Sequence, residues 1–235
     1  MSIIYGTNTV RASLEANNLI KVYAAKDYKN SSLLDQIKAK NIEISYLDRD
    51  GLNNLTKSNF HQGIAAKIKD IYPVGLEEII HIAKKKINPI IVVLDELSDP
   101  HNLGAILRSA DAFDVSGVVY KKRGSVHLNE TVAKVSTGAI NFVKCSEVNN
   151  LTQALVRLKK EGFWVVGMDG EAKMGFKDLP KNTPLVLVVG SEGFGISRLV
   201  KENCDYMVKI PMLGRVNCLN ASVACAIGLY ALRND

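Results

Sequence analysis

The chain has 235 residues, 47% hydrophobic and 23% charged, with formal net charge +6. That length and balance suit a globular protein with one small and one medium domain, and exclude a disordered or fibrous chain. Cys145, Cys204, Cys218 and Cys225 form no C-x-x-C pair and His61, His81, His101 and His127 are scattered, which excludes a disulfide framework and a zinc motif.

No apolar run approaches the roughly 18–20 residues of a membrane span and no secretory h-region heads the chain, so a cytoplasmic protein without membrane or metal is expected. Residues 1–70 and residues 71–235 each carry a surplus of +3, so the shorter N-terminal part is the more densely basic. A basic surplus favours a polyanionic partner, but on charge alone only slightly.

In chain order, Ile20–Ala25 reads as a strand, and Ser31-Ser32 as the cap of a helix through Leu33, Leu34 and Ile37. Ile42–Leu47 and Gly63–Ile68 read as further strands, giving a small α/β domain over 1–70. Residues 71–87 read as a linker: an exit turn with Pro73 and Gly75, then a helical stretch ending in Lys84-Lys85-Lys86, a solvated helix end. From residue 88 to 235 strands and helices alternate. Ile90–Leu94, Phe163–Met168 and Leu185–Val189 are continuous apolar runs of strands buried on both faces of a parallel sheet, and Gly117–Tyr120 is a short strand. Asn102–Phe113 reads as a helix, and Asn150 caps another that Gly162 closes. The pattern predicts an open α/β fold with ligands at the carboxyl ends of the strands.

Three loops there carry unusual residues. In the first, Asn102 can cap its helix or hold a ligand hydroxyl, and Arg108, nearly two turns on, is expected on the same side. Read alone, the pair is an ordinary N-cap and a surface arginine. The second, Gly190-Ser191-Glu192-Gly193-Phe194-Gly195, is glycine-rich but fits neither a phosphate-binding loop nor G-x-G-x-x-G, so a nucleotide-dependent oxidoreductase is a weak alternative. The third runs from Ile210 to Asn220 into a helix of small residues, read alone as a tightly buried helix at a core or dimer interface.

The order and joint content of these loops resemble the SpoU (TrmH-like) RNA ribose methyltransferases of the SPOUT superfamily. Asn102-Leu103-Gly104-Ala105-Ile106-Leu107-Arg108 is similar to the first motif, Leu187-Val188-Val189-Gly190-Ser191-Glu192-Gly193 to the second, and Ile210-Pro211-Met212 through Leu219-Asn220-Ala221-Ser222-Val223-Ala224 to the third. Tyr5-Gly6-Thr7-Asn8-Thr9-Val10 and His61-Gln62-Gly63-Ile64-Ala65-Ala66 resemble the auxiliary domain of one branch, which methylates a guanosine of 23S rRNA. The resemblance implies a C-terminal α/β trefoil-knot domain with a parallel sheet, a small N-terminal L30e-like α/β domain for substrate, and a homodimer. It implies S-adenosylmethionine held by main-chain groups at Gly190, Ile210 and Leu219, with Met212 nearby. It implies Arg108 as catalytic residue, with Asn102, Glu192 and Asn220 orienting arginine, ribose and loops. An arginine, hardly ever deprotonated in proteins, is better suited to bind phosphate and polarise a hydroxyl than to act as a base.

The implied activity is 2′-O-methylation of an RNA ribose, in 23S rRNA or a large-subunit assembly intermediate. The alternatives are a tRNA guanosine-2′-O-methyltransferase and a catalytically impaired RNA-binding protein. Lys21, Lys26 and Lys29 are candidate RNA contacts. Cys218 stands where the family commonly has serine; a thiol bonds more weakly than a hydroxyl, and Asn217 is a neighbouring substitute.

Overall fold

The computed structural model describes residues 2–216 and 218–234; Asn217 lies outside the described residues. The chain forms two compact units, one from residues 1–71 and 128–142, the other from 72–127 and 143–235.

The first unit opens with β1 (Ser2–Tyr5), α1 (Thr7–Glu15), β2 (Leu19–Ala25), α2 (Ser31–Ala39), β3 (Glu43–Leu47), α3 (Arg49–Thr56) and β4 (Ile64–Ile68). Its sheet runs β1-β4-β2-β3, with β4 antiparallel to both neighbours and β2 parallel to β3. The cap of α2 is Asn30, whose side chain accepts from Leu33 N, rather than Ser31 or Ser32. His61 is buried in the turn before β4. Its Nδ1 accepts from Gly63 N at 2.9 Å and its Nε2 bonds Asn53 Oδ1 at 3.0 Å, which fixes the neutral tautomer.

The second unit opens with α4 (Leu76–Ala83), β5 (Ile90–Leu94), α5 (Pro100–Ala112) and β6 (Gly117–Lys121). The stretch expected as a linker is part of this unit's core. Ile79, Ile80 and Ala83 of α4 are buried, and a Cβ on Gly117 would meet the Ile79 side chain at 2.8 Å. Val74 bridges Ser146 in parallel, ahead of the helix. The helix ends at Ala83, and Lys84 and Lys86 pair with Glu161 and Asp114 at the surface.

The chain then contributes α6 (Glu130–Val135) and a 3-10 turn at Ala139–Asn141 to the first unit, where Asn141 bonds Asn18 and Ser13. It returns through β7 (Cys145–Val148), α7 (Leu151–Lys160), β8 (Trp164–Met168), β9 (Leu185–Val189), α8 (Arg198–Lys201), β10 (Tyr206–Val208) and α9 (Ala221–Asn234). As expected, Asn150 caps α7 through Gln153 N, and Gly162 follows it at φ 90°. The six-stranded sheet runs β10-β8-β9-β5-β6-β7 with every pair parallel. All residues of β5 and β9 are buried, as continuous apolar runs require. One face carries α4 and α7 in a shared apolar cluster with Ile91, Val93, Val186 and Val188. On the other, small residues bring α9 close: a Cβ on Gly228 would touch Met168, Leu187 and Phe176 at 3.1–3.3 Å.

Candidate active site

The carboxyl ends of β9, β8 and β10 meet at one cavity of about 270 Å³, close to the lower end of small-molecule sites. It is lined by the glycine-rich turn after β9, by Met168 at the end of β8 with Asp169 and Gly170 after it, and by the segment from Val208 into α9. Gly190, Glu192, Ile210, Met212 and Leu219 all line it, as does Cys218.

The turn after β9 is fixed at several points. Ser191 and Gly195 exchange two backbone hydrogen bonds, of 3.0 and 2.9 Å. A Cβ on Gly190 would lie 2.1 Å from the Gly195 carbonyl carbon, so only glycine fits. Asp95, buried at the end of β5, accepts from Ser197 N at 2.7 Å and anchors the far side. The Ser191 Oγ is buried without a hydrogen-bond partner among the described residues. A polar atom left so beside a cavity suits a polar ligand that completes it.

Glu192 is the centre of a three-residue cluster. Its Oε1 accepts from Asn102 Nδ2 at 3.0 Å, from Asn220 Nδ2, and from Ala221 N at 3.3 Å. Asn220 Nδ2 also donates to Asn102 Oδ1 at 2.9 Å. Asn220 caps α9, its Oδ1 accepting from Ser222 N at 3.0 Å and Ser222 Oγ at 2.6 Å. A carboxylate at the first turn of a helix is favoured by the amides and the dipole there. Asn102 is 6% exposed, so its bonds to Glu192 and Asn220 hold a largely dehydrated amide.

Two expectations are corrected. Asn102 is not the helix cap; Asp99 is, accepting from His101 N at 2.8 Å. Arg108 is not beside Asn102. Six residues turn a helix about 600°, which leaves Arg108 about 120° round from Asn102. It lies exposed in a groove between α5 and α9, with Ala105, Ser109, Ala112, Val223 and Ile227, on the other side of the first turn of α9 from the cavity.

Sequence reasoning missed Asp95 and Asp169. Each follows the last residue of a buried strand, where an acidic residue after an apolar run is the readable signal. Asp169 pairs with Lys201 and accepts from Glu171 N at 2.8 Å; the Lys201 ammonium, then that amide, hold its carboxyl below the usual range. Burial pushes the thiols of Cys145, Cys204 and Cys225 up to about 12, so these are unreactive near neutrality. Lys21 pairs with Glu43, whereas Lys26 and Lys29 are exposed. Among the described residues no group of His, Cys, Asp or Glu is placed to hold a metal ion, and no helix is long and apolar enough to cross a membrane.

The fold is shared with known proteins. A protein assigned to the TrmH family of tRNA/rRNA methyltransferases in Bacillus subtilis strain 168, YacO, is 40% identical over 97% of this chain and 93% of its own. The SpoU methyltransferase AviRb from Streptomyces viridochromogenes, solved in complex with AdoMet, superimposes with TM-score 0.81 at 20% identity, over 98% of this chain and 88% of that one. An AdoMet-bound rRNA methyltransferase from Sinorhizobium meliloti gives TM-score 0.79 at 21% identity, over 99% and 86%. Residues 3–74 match the RNA 2′-O ribose methyltransferase substrate-binding family. Residues 89–230 match the SpoU rRNA Methylase family, and with the cavity and its three loops as described the chain belongs to that family.

Proposed function

We propose that this protein transfers the methyl group of S-adenosylmethionine to the 2′-oxygen of a guanosine ribose in 23S rRNA. The observation that carries the reading is the Asn102–Glu192–Asn220 cluster at the wall of the cavity between the glycine-rich turn and the start of α9. The residues fit the cofactor. Gly190, Ile210 and Leu219 bring backbone to the cavity, Met212 adds an apolar wall, and the unpartnered Ser191 Oγ offers a hydrogen bond.

When bound, the cofactor supplies an electrophilic methyl on a positively charged sulfur. The protein's part is alignment, which in favourable cases supplies several kcal/mol. Glu192 lines the cavity and has one oxygen held by Asn102, Asn220 and the α9 amide. The other oxygen is the acceptor for the ribose hydroxyl. The cofactor, held at Gly190, Ile210, Met212 and Leu219, would supply the methyl group to the 2′-oxygen, and the Glu192 carboxylate would take the hydroxyl proton along this hydrogen bond. Arg108, with its fork of donors, binds an RNA phosphate.

The auxiliary domain supports rRNA over tRNA. The Sinorhizobium meliloti rRNA methyltransferase covers 99% of the chain, whereas a TrmH/SpoU tRNA modifying enzyme from A. aeolicus covers 67%. Lys26 and Lys29 present exposed cations on that domain for a phosphate backbone. The exposed apolar residues Val223 and Ile227 of α9 are the patch we assign to a second copy in a homodimer, which leaves Arg108 for the RNA.

The test is transfer from methyl-labelled S-adenosylmethionine to unmodified 23S rRNA and to tRNA, with Arg108→Ala in parallel and the label mapped by nuclease digestion. Label on a ribose of 23S rRNA, reduced in the variant, is expected. Label on tRNA alone overturns the substrate, and failure to bind S-adenosylmethionine overturns the reading.

A further inference from the structure

Phe194 is 91% exposed at the tip of the turn that carries Glu192. Its surroundings are not those of a mobile loop end. Ser191 and Gly195, on either side of the tip, are bonded backbone to backbone; Glu192 is tied to Asn102, Asn220 and α9; Ser197 is tied to Asp95. Gly193 and Gly195 flank it, both line the cavity, and neither has another atom within 4 Å of a Cβ position. Thus a rigid turn holds a large apolar ring in the open at the edge of the cavity, two residues from the carboxylate. A ring so placed adds nothing to the core, where burial would have been favourable.

From this placement we infer that Phe194 is a positioning residue for the RNA substrate, a platform on which the base of the target nucleotide stacks. The inference rests on the ribose methylation reading. If a ribose 2′-hydroxyl reaches Glu192, the attached base must lie outside the cavity, along the same turn. Unpaired bases stack on aromatic side chains, and an exposed ring on a tied turn offers such a face without the loop first being ordered. At 91% exposure the ring has its surface open to a flat partner, and the flanking glycines add no side chain beside it.

The test compares the full-length wild type with Phe194→Ala and Phe194→Tyr on whichever of 23S rRNA and tRNA the wild type methylates. Stacking of one base is worth about 1–3 kcal/mol, which is roughly 5- to 150-fold. We expect Phe194→Ala to lower kcat/KM for RNA within that range. The loss should fall mainly in KM, with S-adenosylmethionine affinity by calorimetry and oligomeric state by sedimentation unchanged, and Phe194→Tyr should restore most of it. Wild-type kcat/KM in Phe194→Ala overturns the inference, as does failure of tyrosine to rescue. Loss of cofactor affinity would make the ring a support of the cavity instead. A changed oligomeric state would make it a contact between copies. Either result also overturns the stacking role. If the wild type methylates no RNA, the ribose methylation reading itself fails and this inference falls with it.

Discussion

Asn102, Glu192 and Asn220 come from three distant stretches of chain and share a single carboxylate oxygen. Removing Glu192 takes the acceptor from Asn102 Nδ2, and removing Asn220 takes the donor from Asn102 Oδ1. Asn220→Ala removes the cap of α9 as well, and should cost about 1 kcal/mol from the cap alone. For a chain of this size that lowers the melting temperature by about 2–4 °C. An unchanged melting temperature would show that the cap carries no stability. At His61 the expected effect is on pH. Burial, then the Arg49 charge, lowers its pKa below 6.5, so the unfolded state takes a proton before the folded one. Stability therefore falls as pH drops below 6.5 towards the lowered value, because the buried ring must take up charge near Arg49. Denaturant titrations of the wild type and His61→Gln between about pH 7.5 and 5.5 check this; the variant should be less stable at the upper end and less pH-dependent. Asn102, Glu192 and Asn220 were singled out through the resemblance of their three loops to the family's motifs, since each read alone is an ordinary cap or turn residue. The place of Arg108 was not legible, because a difference of about 120° around a helix reverses which groove a side chain enters.

At the scale of elements, the turn after β9 is set by steric exclusion. Gly190→Ala places a carbon 2.1 Å from the Gly195 carbonyl carbon and must displace the turn. We expect it to destabilise the protein by about 1–3 kcal/mol and to weaken S-adenosylmethionine binding; calorimetry with wild-type affinity would contradict this. The buried strands β5 and β9 were readable to the residue, since five apolar residues in a row fit a strand covered on both faces and little else. The edge strands β7 and β10 were not, being four and three residues long with no alternation to detect. The helical stretch within 71–87 was visible, but its tertiary partner was not. Its apolar face meets Gly117, far along the chain, and no local pattern announces that contact.

The division of the whole molecule departs most from its linear reading. The chain leaves the second unit after His127, builds α6 and the 3-10 turn into the first, and returns at Val143. Gly138 makes this possible: at φ +100° a Cβ there would lie 2.4 Å from that of Ala12 on α1. Gly138→Ala should therefore speed amide hydrogen exchange in β1–β4 while leaving that of β5 and β9 unaltered. Equal acceleration in both sheets would show that the two units do not unfold separately. This excursion left no mark in the sequence, because a short segment can pack on either unit without changing its composition. Above all, the function proposed for the molecule requires that the Glu192 cluster orient a ribose hydroxyl for methylation. Single-turnover transfer of labelled methyl to unmodified 23S rRNA by wild type and Glu192→Ala, each saturated with S-adenosylmethionine, tests this. Label is expected on a ribose 2′-oxygen, at a rate about 100-fold lower in the variant, the scale of losing a group aimed at the reacting atoms. A Glu192→Ala protein that transfers methyl at the wild-type rate would contradict that role.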